Sequence, residues 1–429
     1  MTEENRVTYT KKYTYYSLFV LGLINIIDIF TSNVGPLVVS FVVDEFLISK
    51  GVPENVAYAQ YGAVMALAPL FFIVALGIRY LADRYGRKPA LIINVAGMGF
   101  SALLIIISQT FLMYVLGALL GSVFLTADIQ VLLINEECPK EKRSQFATLV
   151  MIIGLVGALL VILLRFLFMS GPNPNWRALF FLTFIGGIIV TVLVIFTMKE
   201  SSVYLTMKAQ RADHPELQQE KESFVKAIKS IFKLKNFRTI MFILVVGILG
   251  VLGGFMERAF WEPFMSQNFT FNEVNIIYIV RYLISIPFGA MIGQINDKVG
   301  RKVGLLTTLI CAPVFLILCL FTIGYGNAIL TGLFYGLFIY SIWLTPTTTG
   351  TMTNELTPTK YRGTMSVFAL LLAYIIIAIA TVFFSILRIW LSFEMVFVLA
   401  VIPGCLIAIP IVIKKLPETV ATDLTKVEG

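Results

Sequence analysis

The sequence has little of the chemistry that soluble enzymes use. Its 429 residues include one histidine and four cysteines, and charged residues make up only 14% of the chain. The histidine, His214, lies in a polar, charged stretch, and the cysteines lie in or beside apolar runs without metal-ligand spacing. We therefore expect no imidazole at membrane depth, no disulfide framework, no metal site and no cofactor.

Short enzyme motifs are also missing from the sequence. It contains no HExxH, no P-loop and no G-x-G-x-x-G after a strand, and one loop histidine cannot supply a Ser-His-Asp arrangement. These absences argue against an enzyme and against ATP-driven transport.

Apolar residues dominate instead. They make up 58% of the chain, and the mean hydropathy is +0.88, whereas ordinary soluble domains are about 45–50% apolar and about 25% charged. Much of this apolar surface must therefore face a lipid bilayer.

The apolar residues form runs long enough to cross that bilayer as helices. A spanning helix needs about 20 mostly apolar residues, and these runs are continuously apolar, without the alternation of a β-barrel strand. The sequence predicts an all-α integral membrane protein with twelve transmembrane helices near 14–40, 57–80, 89–109, 111–135, 146–170, 177–198, 239–260, 273–295, 303–323, 328–353, 364–388 and 391–413.

The basic residues predict the orientation of the chain in the membrane. Most of the 33 lysines and arginines fall on one side of the predicted spans, and cytoplasmic loops carry such an excess. We therefore expect both termini to be cytoplasmic, in a multi-pass protein of the cell (plasma or inner) membrane. Topology accounts for the net charge of +8 without a nucleic-acid partner.

The longest polar segment divides the spans six and six. The expected organisation is a six-helix bundle over 1–198, a cytoplasmic linker over 199–238 and a second bundle with a cytoplasmic tail over 239–429. Apolar residues at helical spacing, interleaved with lysines between residues 221 and 235, indicate a basic amphipathic helix on the inner leaflet. A solvated basic linker is the alternative.

Two short motifs occur once in each half of the chain. DRYGRK begins at Asp83 and DKVGRK begins at Asp297, while EECPKEKR from Glu136 and ELTPTKYR from Glu355 both fit E-x-x-P-x-x-x-R. A weaker third pair is KESSVYL from Lys199 and LPETVATDL from Leu416. Two related halves in one membrane chain are typical of a transporter whose site lies between the repeats at the midplane. The motif residues are Asp83, Arg84, Gly86, Arg87, Glu136, Arg143, Gly293, Asp297, Gly300, Arg301, Glu355 and Arg362.

At these motifs the sequence resembles the major facilitator superfamily, whose loop motif reads G-x-x-x-D-[RK]-x-G-R-[RK]. The second copy is complete from Gly293 to Lys302, whereas Arg79 stands at the glycine position of the first. The E-x-x-P-x-x-x-R pair is similar to the broad sugar-porter branch, which includes organic-ion and metabolite carriers. The resemblance implies two pseudo-symmetric six-helix bundles, with Asp83 and Asp297 as latches of a cytoplasmic gate.

Ionisable residues inside spans are costly and mark functional sites. Asp28 lies near the centre of the first predicted span, and Arg281 is moderately deep in the eighth. Asp128 lies a few residues toward the cytoplasm from the centre of the fourth. Four other charged residues fall close to the outer ends of their spans: Arg165, Glu257, Arg258 and Arg388. Their long side chains can snorkel to the interface, so we do not place them in the central site.

Polar stripes accompany two of the spans that line the cavity in the resembled family. Asn25, Asp28 and Ser32 share one face of the first span, which predicts a wet cavity beside Asp28. The tenth span carries a second stripe, although threonines in helices often bond only to the backbone. Its candidate cavity residues are Trp343, Thr347, Thr351 and Asn354.

The leading functional hypothesis is a monomeric, proton-coupled symporter that moves a small organic solute by alternating access, with Asp28 and Asp128 in proton coupling. Glutamines typical of sugar porters are missing from the fifth and seventh spans, which disfavours a sugar. A second hypothesis is proton-coupled export of an amphiphilic or cationic compound, favoured by the two acids, although Arg281 argues for an anionic solute. A third, from another class, is a sensor that binds a solute without moving it.

Overall fold

A computed structural model of the protein describes residues 9–137, 143–213, 230–358 and 361–419. Within these ranges the regular elements are helices, connected by turns and short 3₁₀ segments. In chain order the helices are α1 Lys11–Val34, α2 Val39–Phe46, α3 Glu54–Met65, α4 Phe72–Tyr85, α5 Arg87–Ile106, α6 Phe111–Ala127, α7 Ile129–Glu137, α8 Arg143–Met169, α9 Phe180–Thr197, α10 Ser202–Asp213, α11 Phe237–Asn268, α12 Phe271–Lys298, α13 Arg301–Gly324, α14 Ala328–Leu356, α15 Arg362–Leu387 and α16 Phe393–Lys415.

These helices coincide with the predicted spans. Within the described ranges, eleven helical segments are long and apolar enough to cross a membrane, and the fifth predicted span is covered by α8, which includes the shorter apolar stretch Ile153–Met169. Polar side chains fix several of the helix starts, as where Asn327 accepts a hydrogen bond from the Leu330 N–H and Ser392 accepts one from the Met395 N–H. The prediction of an all-helical membrane protein is confirmed.

Two spans are broken, although the sequence predicted continuous helices over 57–80 and 111–135. The second span consists of α3 and α4, and between them lies Pro69, which has no N–H to continue the helical ladder. The fourth consists of α6 and α7, joined at Asp128, whose φ of 50° and ψ of 35° are left-handed. Among the described non-glycine residues, Asp128 alone has a positive φ. Continuous apolar composition does not reveal such a break.

The chain divides into two compact units. The first comprises residues 1–42 and 71–221, and in it α1 packs against α8 and α9 while α5 packs against α6 and α9. The second comprises residues 43–70 and 222–429, and in it α14 packs against α12 and α13 while α11 packs against α14 and α16. The first half of the second span, α3, packs against α15 in this second unit.

Glycine turns occupy the same place in both halves. Gly86, with a φ of 122°, precedes α5, and Gly300, with a φ of 142°, precedes α13. A Cβ at Gly86 would lie 2.2 Å from a carboxylate oxygen of Glu200, and one at Gly300 would lie 2.3 Å from an oxygen of Glu418. Both turns therefore need glycine for backbone conformation and for space.

The predicted linker is only partly described. Helix α10 covers its first part, but residues 214–229, which contain most of the predicted amphipathic helix, lie outside the described residues. Directly after this gap, Ile231 and Leu234 are buried in an apolar cluster with Ile240, Leu244 and Met365. The described end of the linker therefore packs against α11 and α15.

Candidate functional site

Asp28 in α1 has a buried carboxyl oxygen without a partner. Its Oδ1 makes no hydrogen bond, and its carboxyl lies close enough to that of Asp128 for the two negative charges to repel. When Asp28 is ionised, this buried oxygen bears a desolvation cost that no described donor offsets.

The two polar neighbours of Asp28 on the predicted stripe have other partners. Asn25 is buried, and its Nδ2 donates to the Val150 carbonyl of α8 at 2.9 Å. The Ser32 hydroxyl donates to the Ile29 carbonyl of its own helix at 3.0 Å. Asn25 therefore joins two helices, and Asp28 is the member of the stripe with a free buried oxygen.

Arg79 of α4 binds the broken fourth span at Asp128. Its Nη2 donates to Asp128 Oδ2 at 3.1 Å and to the Thr126 carbonyl at 3.3 Å, and its Nε donates to the Ala127 carbonyl at 2.8 Å. The last carbonyls of a helix have no partner within it, so Arg79 satisfies two that the break releases. The Arg79 and Asp128 side chains are 39% and 46% exposed, so the pair lies at an accessible surface of the unit.

In the second unit, Arg281 of α12 is held in a buried polar cluster. Its Nη2 lies 3.3 Å from Oε1 of Glu257, and the two side chains are 12% and 5% exposed. Tyr335 donates a short hydrogen bond to the same oxygen. The guanidinium carbon lies 4.7, 4.9 and 5.7 Å from the ring centres of Tyr335, Tyr282 and Tyr278. The positive charge of Arg281 is thus paired inside its own unit.

This buried cluster continues into aromatic side chains. Trp261 stacks on Tyr335 with 4.5 Å between ring centres and 17° between ring planes. The Trp261 indole Nε1 and both polar atoms of the Asn275 amide are buried without hydrogen-bond partners. Sequence reasoning placed Glu257 at the interface and did not consider Tyr335 or Trp261, because the pairing of spans seven, eight and ten is a tertiary contact.

The candidate residues of the tenth span lie along α14. Trp343 packs against Phe255, with 5.6 Å between ring centres, and against the Arg258 guanidinium, 5.3 Å from its ring centre. The hydroxyls of Thr347 and Thr351 donate to carbonyls of their own helix, at 3.3 and 3.0 Å. Thr347 is nevertheless exposed, so its side chain remains accessible on the surface of the unit. Asn354 Oδ1 accepts a hydrogen bond from Ser366 of α15 at 3.2 Å.

The loop motif of the first half forms the first loop cluster: Asp83, Arg87, Glu136, Glu200 and Ser201. The Arg87 guanidinium lies 3.2 Å from Asp83 and 2.9 Å from Glu136. Glu200 accepts a hydrogen bond of 2.7 Å from the backbone N–H of Arg87 at the start of α5. The helix dipole favours a carboxylate at this position. Ser201 Oγ donates to Glu136 at 2.5 Å.

The second loop cluster repeats this arrangement with Asp297, Arg301, Glu355, Glu418 and Thr419. Arg301 lies 2.5 Å from Asp297 and 3.4 Å from Glu355. Glu418 accepts a hydrogen bond of 2.8 Å from the backbone N–H of Arg301, and Thr419 Oγ1 donates one of 2.5 Å to Glu355. The weak third sequence pair therefore supplied Glu200, Ser201, Glu418 and Thr419, which the candidate residues omitted.

The remaining motif residues lie at the edges of these clusters. Arg84 donates to the Tyr80 hydroxyl at 3.2 Å on an exposed surface, and a Cβ at Gly293 would have open space around it. Arg362 Nε donates to the carbonyls of Asn354 and Thr357, at 3.0 and 3.1 Å, and so caps the end of α14. The side chain of Arg143 lies outside the described residues.

The sequence also matches a known family over most of its length. The profile of the Major Facilitator Superfamily matches residues 18–381. The chain belongs to this superfamily. It is therefore a membrane transporter by family, not an enzyme, and the sequence resemblance is confirmed.

Curated relatives of this superfamily chain match only in part. It is 26% identical over 141 residues to solute carrier family 2, facilitated glucose transporter member 12, of Mus musculus, and 29% identical over 132 residues to monosaccharide-sensing protein 2 of Arabidopsis thaliana. These matches cover 32% and 30% of this chain. The chain spans 22% and 18% of the lengths of these two relatives, and 49% of a Caenorhabditis elegans transporter to which it is 24% identical.

Solved structures agree with the superfamily fold over nearly the whole chain. The xylose transporter XylE from E. coli, in an inward open conformation, has a TM-score of 0.73 and 17% identity, covering 96% of this chain and 99% of that one. A D-xylose-proton symporter has a TM-score of 0.69 and 18% identity, covering 94% and 98%. At these identities the likeness establishes the fold. The twelve-helix major facilitator architecture is thus confirmed.

Proposed function

We propose that the protein is a proton-coupled symporter of a small organic solute and that Asp28 carries the proton. The observation that carries this proposal is the buried, unpartnered Oδ1 of Asp28 in the first span of a superfamily transporter. Protonation removes both the desolvation cost of that oxygen and the repulsion from Asp128.

The charges of the first unit support a single proton at this place. Arg79 pairs with Asp128, so the two charges of that pair offset each other. An ionised Asp28 then leaves the group of three residues with one excess negative charge, and a protonated Asp28 leaves it neutral. A neutral group costs less to enclose when the site closes to water, which would link the proton to the closing step.

The two loop clusters would hold the cytoplasmic gate. Each pairs an aspartate, Asp83 or Asp297, with an arginine that also binds a glutamate at the end of the fourth or tenth span. We place these clusters and both termini in the cytoplasm, because the basic residues of the sequence concentrate there. A gate of this kind favours one state through a few ion pairs, so loss of an aspartate would alter turnover more than binding.

Export of a cationic compound is the second candidate. The Arg281 charge is paired with Glu257, which removes the argument that this arginine attracts an anionic solute. The excess negative charge at Asp28 would then receive either a proton or the cationic group of a substrate. The direction of accumulation distinguishes the two candidates.

The test is uptake into proteoliposomes, with a pH dye in the lumen, across a panel of sugars, organic acids and organic cations. We expect a solute whose uptake acidifies the lumen in the wild type. Asp28→Asn should lose that acidification while it retains exchange of labelled solute, because an amide cannot release a proton. Asp44→Asn, which changes an exposed aspartate of α2, is the matched control and should acidify the lumen normally. Acidification by Asp28→Asn equal to that of the wild type would remove Asp28 from coupling.

A further inference from the structure

The two halves of the chain differ at one pair of positions. Arg79 lies four residues before Asp83, whereas Gly293 stands four residues before Asp297. Asp128 lies eight residues before Glu136, whereas Thr347 stands eight residues before Glu355. The half that has both Arg79 and Asp128 has a broken fourth span, and the half that has neither has an unbroken α14. The repeat therefore serves as an internal comparison that links the arginine, the aspartate and the break.

The break presents acceptors that converge on one cation. The carbonyl oxygens of Thr126 and Ala127 and the Asp128 carboxylate all accept from the Arg79 guanidinium, at 3.3, 2.8 and 3.1 Å. The carboxyl end of α6 adds the negative pole of its dipole. In transporters, unwound carbonyls and half-helix carboxyl ends commonly coordinate the coupling cation.

Charge near the break favours a positive occupant. Asp28 and Asp128 are close enough for their charges to interact, and Asp28 Oδ1 is buried without a partner. Two carboxylates therefore act on this region, and the cation present in it is tethered to α4 through the Arg79 side chain.

We propose that the break in the fourth span is a monovalent-cation site, that the Arg79 guanidinium fills it in this protein, and that without this side chain the site takes free guanidinium or a similar cation from solution. The planar fork of a guanidinium matches a carboxylate and two adjacent carbonyls better than a spherical ammonium does. One consequence rests on the proposed function: with its cation built in, the site has no need of Na⁺, so the proton at Asp28 is the ion that moves.

The experiment measures guanidinium binding to the purified full-length protein and needs no knowledge of the transported solute. The melting temperature is followed while guanidinium chloride is raised through the millimolar range, with tetramethylammonium chloride at equal ionic strength as the comparison. A ligand that binds the folded state raises the melting temperature in a concentration-dependent way. We expect a saturable rise for Arg79→Ala and none for the wild type, whose site is filled.

Two variants make the result specific to this site. Arg177→Ala removes an arginine that donates to the Ser108 carbonyl and stacks on Trp176, and it should show no saturable rise. Arg79→Ala combined with Asp128→Asn should lose the response, because the carboxylate acceptor is gone. A response of Arg79→Ala no larger than that of Arg177→Ala, or one that survives Asp128→Asn, would overturn the proposal.

Guanidinium also provides a test if the Arg79→Ala variant folds poorly. If Arg79→Ala yields no folded protein in ordinary buffer, its recovery is compared with guanidinium and with tetramethylammonium present during purification. Recovery with guanidinium alone supports the site, and recovery with neither or with both contradicts it. Because no transport is measured, failure here leaves the role of Asp28 to its own experiment.

Discussion

The buried ion pair of the second unit gives the sharpest prediction for stability. Glu257 and Arg281 are 5% and 12% exposed, with 3.3 Å between Oε1 and Nη2. Removing one partner of a buried pair leaves the other charge without compensation, at a cost of about 3–5 kcal/mol. Three tyrosine rings still surround Arg281, and each cation–π contact contributes about 0.5–2 kcal/mol. We therefore expect Glu257→Gln to destabilise the protein by about 3 kcal/mol, the low end of that range.

The double variant separates a lost pair from lost packing. Glu257→Gln combined with Arg281→Met removes both charges and keeps the side-chain volumes similar. Replacing a whole buried pair is often neutral, so we expect the double variant to lie within about 1 kcal/mol of the wild type. Arg281→Met alone leaves the Glu257 charge uncompensated and should also cost about 3 kcal/mol. A coupling energy of about 5 kcal/mol between the two sites follows, above the range of about 0.5–3 kcal/mol that is usual for residues in contact.

Thermal unfolding of the purified protein in detergent is the assay. At about 2–4 °C per kcal/mol for a unit of this size, Glu257→Gln should lower the melting temperature by about 6–12 °C. Glu54→Gln is the matched control, since Glu54 is an exposed carboxylate of α3 in the same unit, and its change should stay within about 0.5 kcal/mol. The reasoning is refuted if Glu257→Gln costs no more than this control, or if the double variant loses as much as the two single variants together.

Two further predictions concern the loop motifs. Gly86→Ala should destabilise the protein, because the φ of 122° is strained for alanine and the added Cβ would meet Glu200. Gly77→Ala in α4, where a Cβ has open space around it, should instead stabilise the protein by about 0.4–1 kcal/mol. Equal melting temperatures of the two variants would contradict this contrast. Asp83→Asn and Asp297→Asn should each slow transport more than they weaken solute binding. The assay compares initial uptake rates with equilibrium binding of the solute. Unchanged turnover in both variants would count against a gate.

The repeated loop motifs show how far sequence reasoning reached. A tight turn with charged neighbours is specified by a few adjacent residues, and in the structure Gly86 of DRYGRK and Gly300 of DKVGRK both have the positive φ of such a turn. The partners Glu200 and Glu418 were harder to assign, because they lie more than 100 residues from the arginines whose N–H groups they accept. Their short sequence pair was visible, but its role depended on the packing of the sixth and twelfth spans beside the loops.

Charged residues inside the spans were harder to interpret from sequence. Depth along a helix identified Asp28, because a carboxylate in the middle of an apolar run is costly wherever its partner lies. Depth alone misplaced Glu257, which the sequence assigned to the interface and the fold buries against Arg281. Arg79 looked like a departure from a motif, and only its contacts at the fourth span explain its presence.

By itself the sequence determined that this is a helical membrane protein of two related halves, because hydrophobic length and repeated turns are properties of contiguous residues. The tertiary structure decided which charges are paired. Asp128 is paired with Arg79 and Arg281 with Glu257, whereas Asp28 keeps a buried oxygen without a partner. The physical reason is that the cost of a charge depends on the groups that surround it, and in a bundle of helices those groups come from distant parts of the chain.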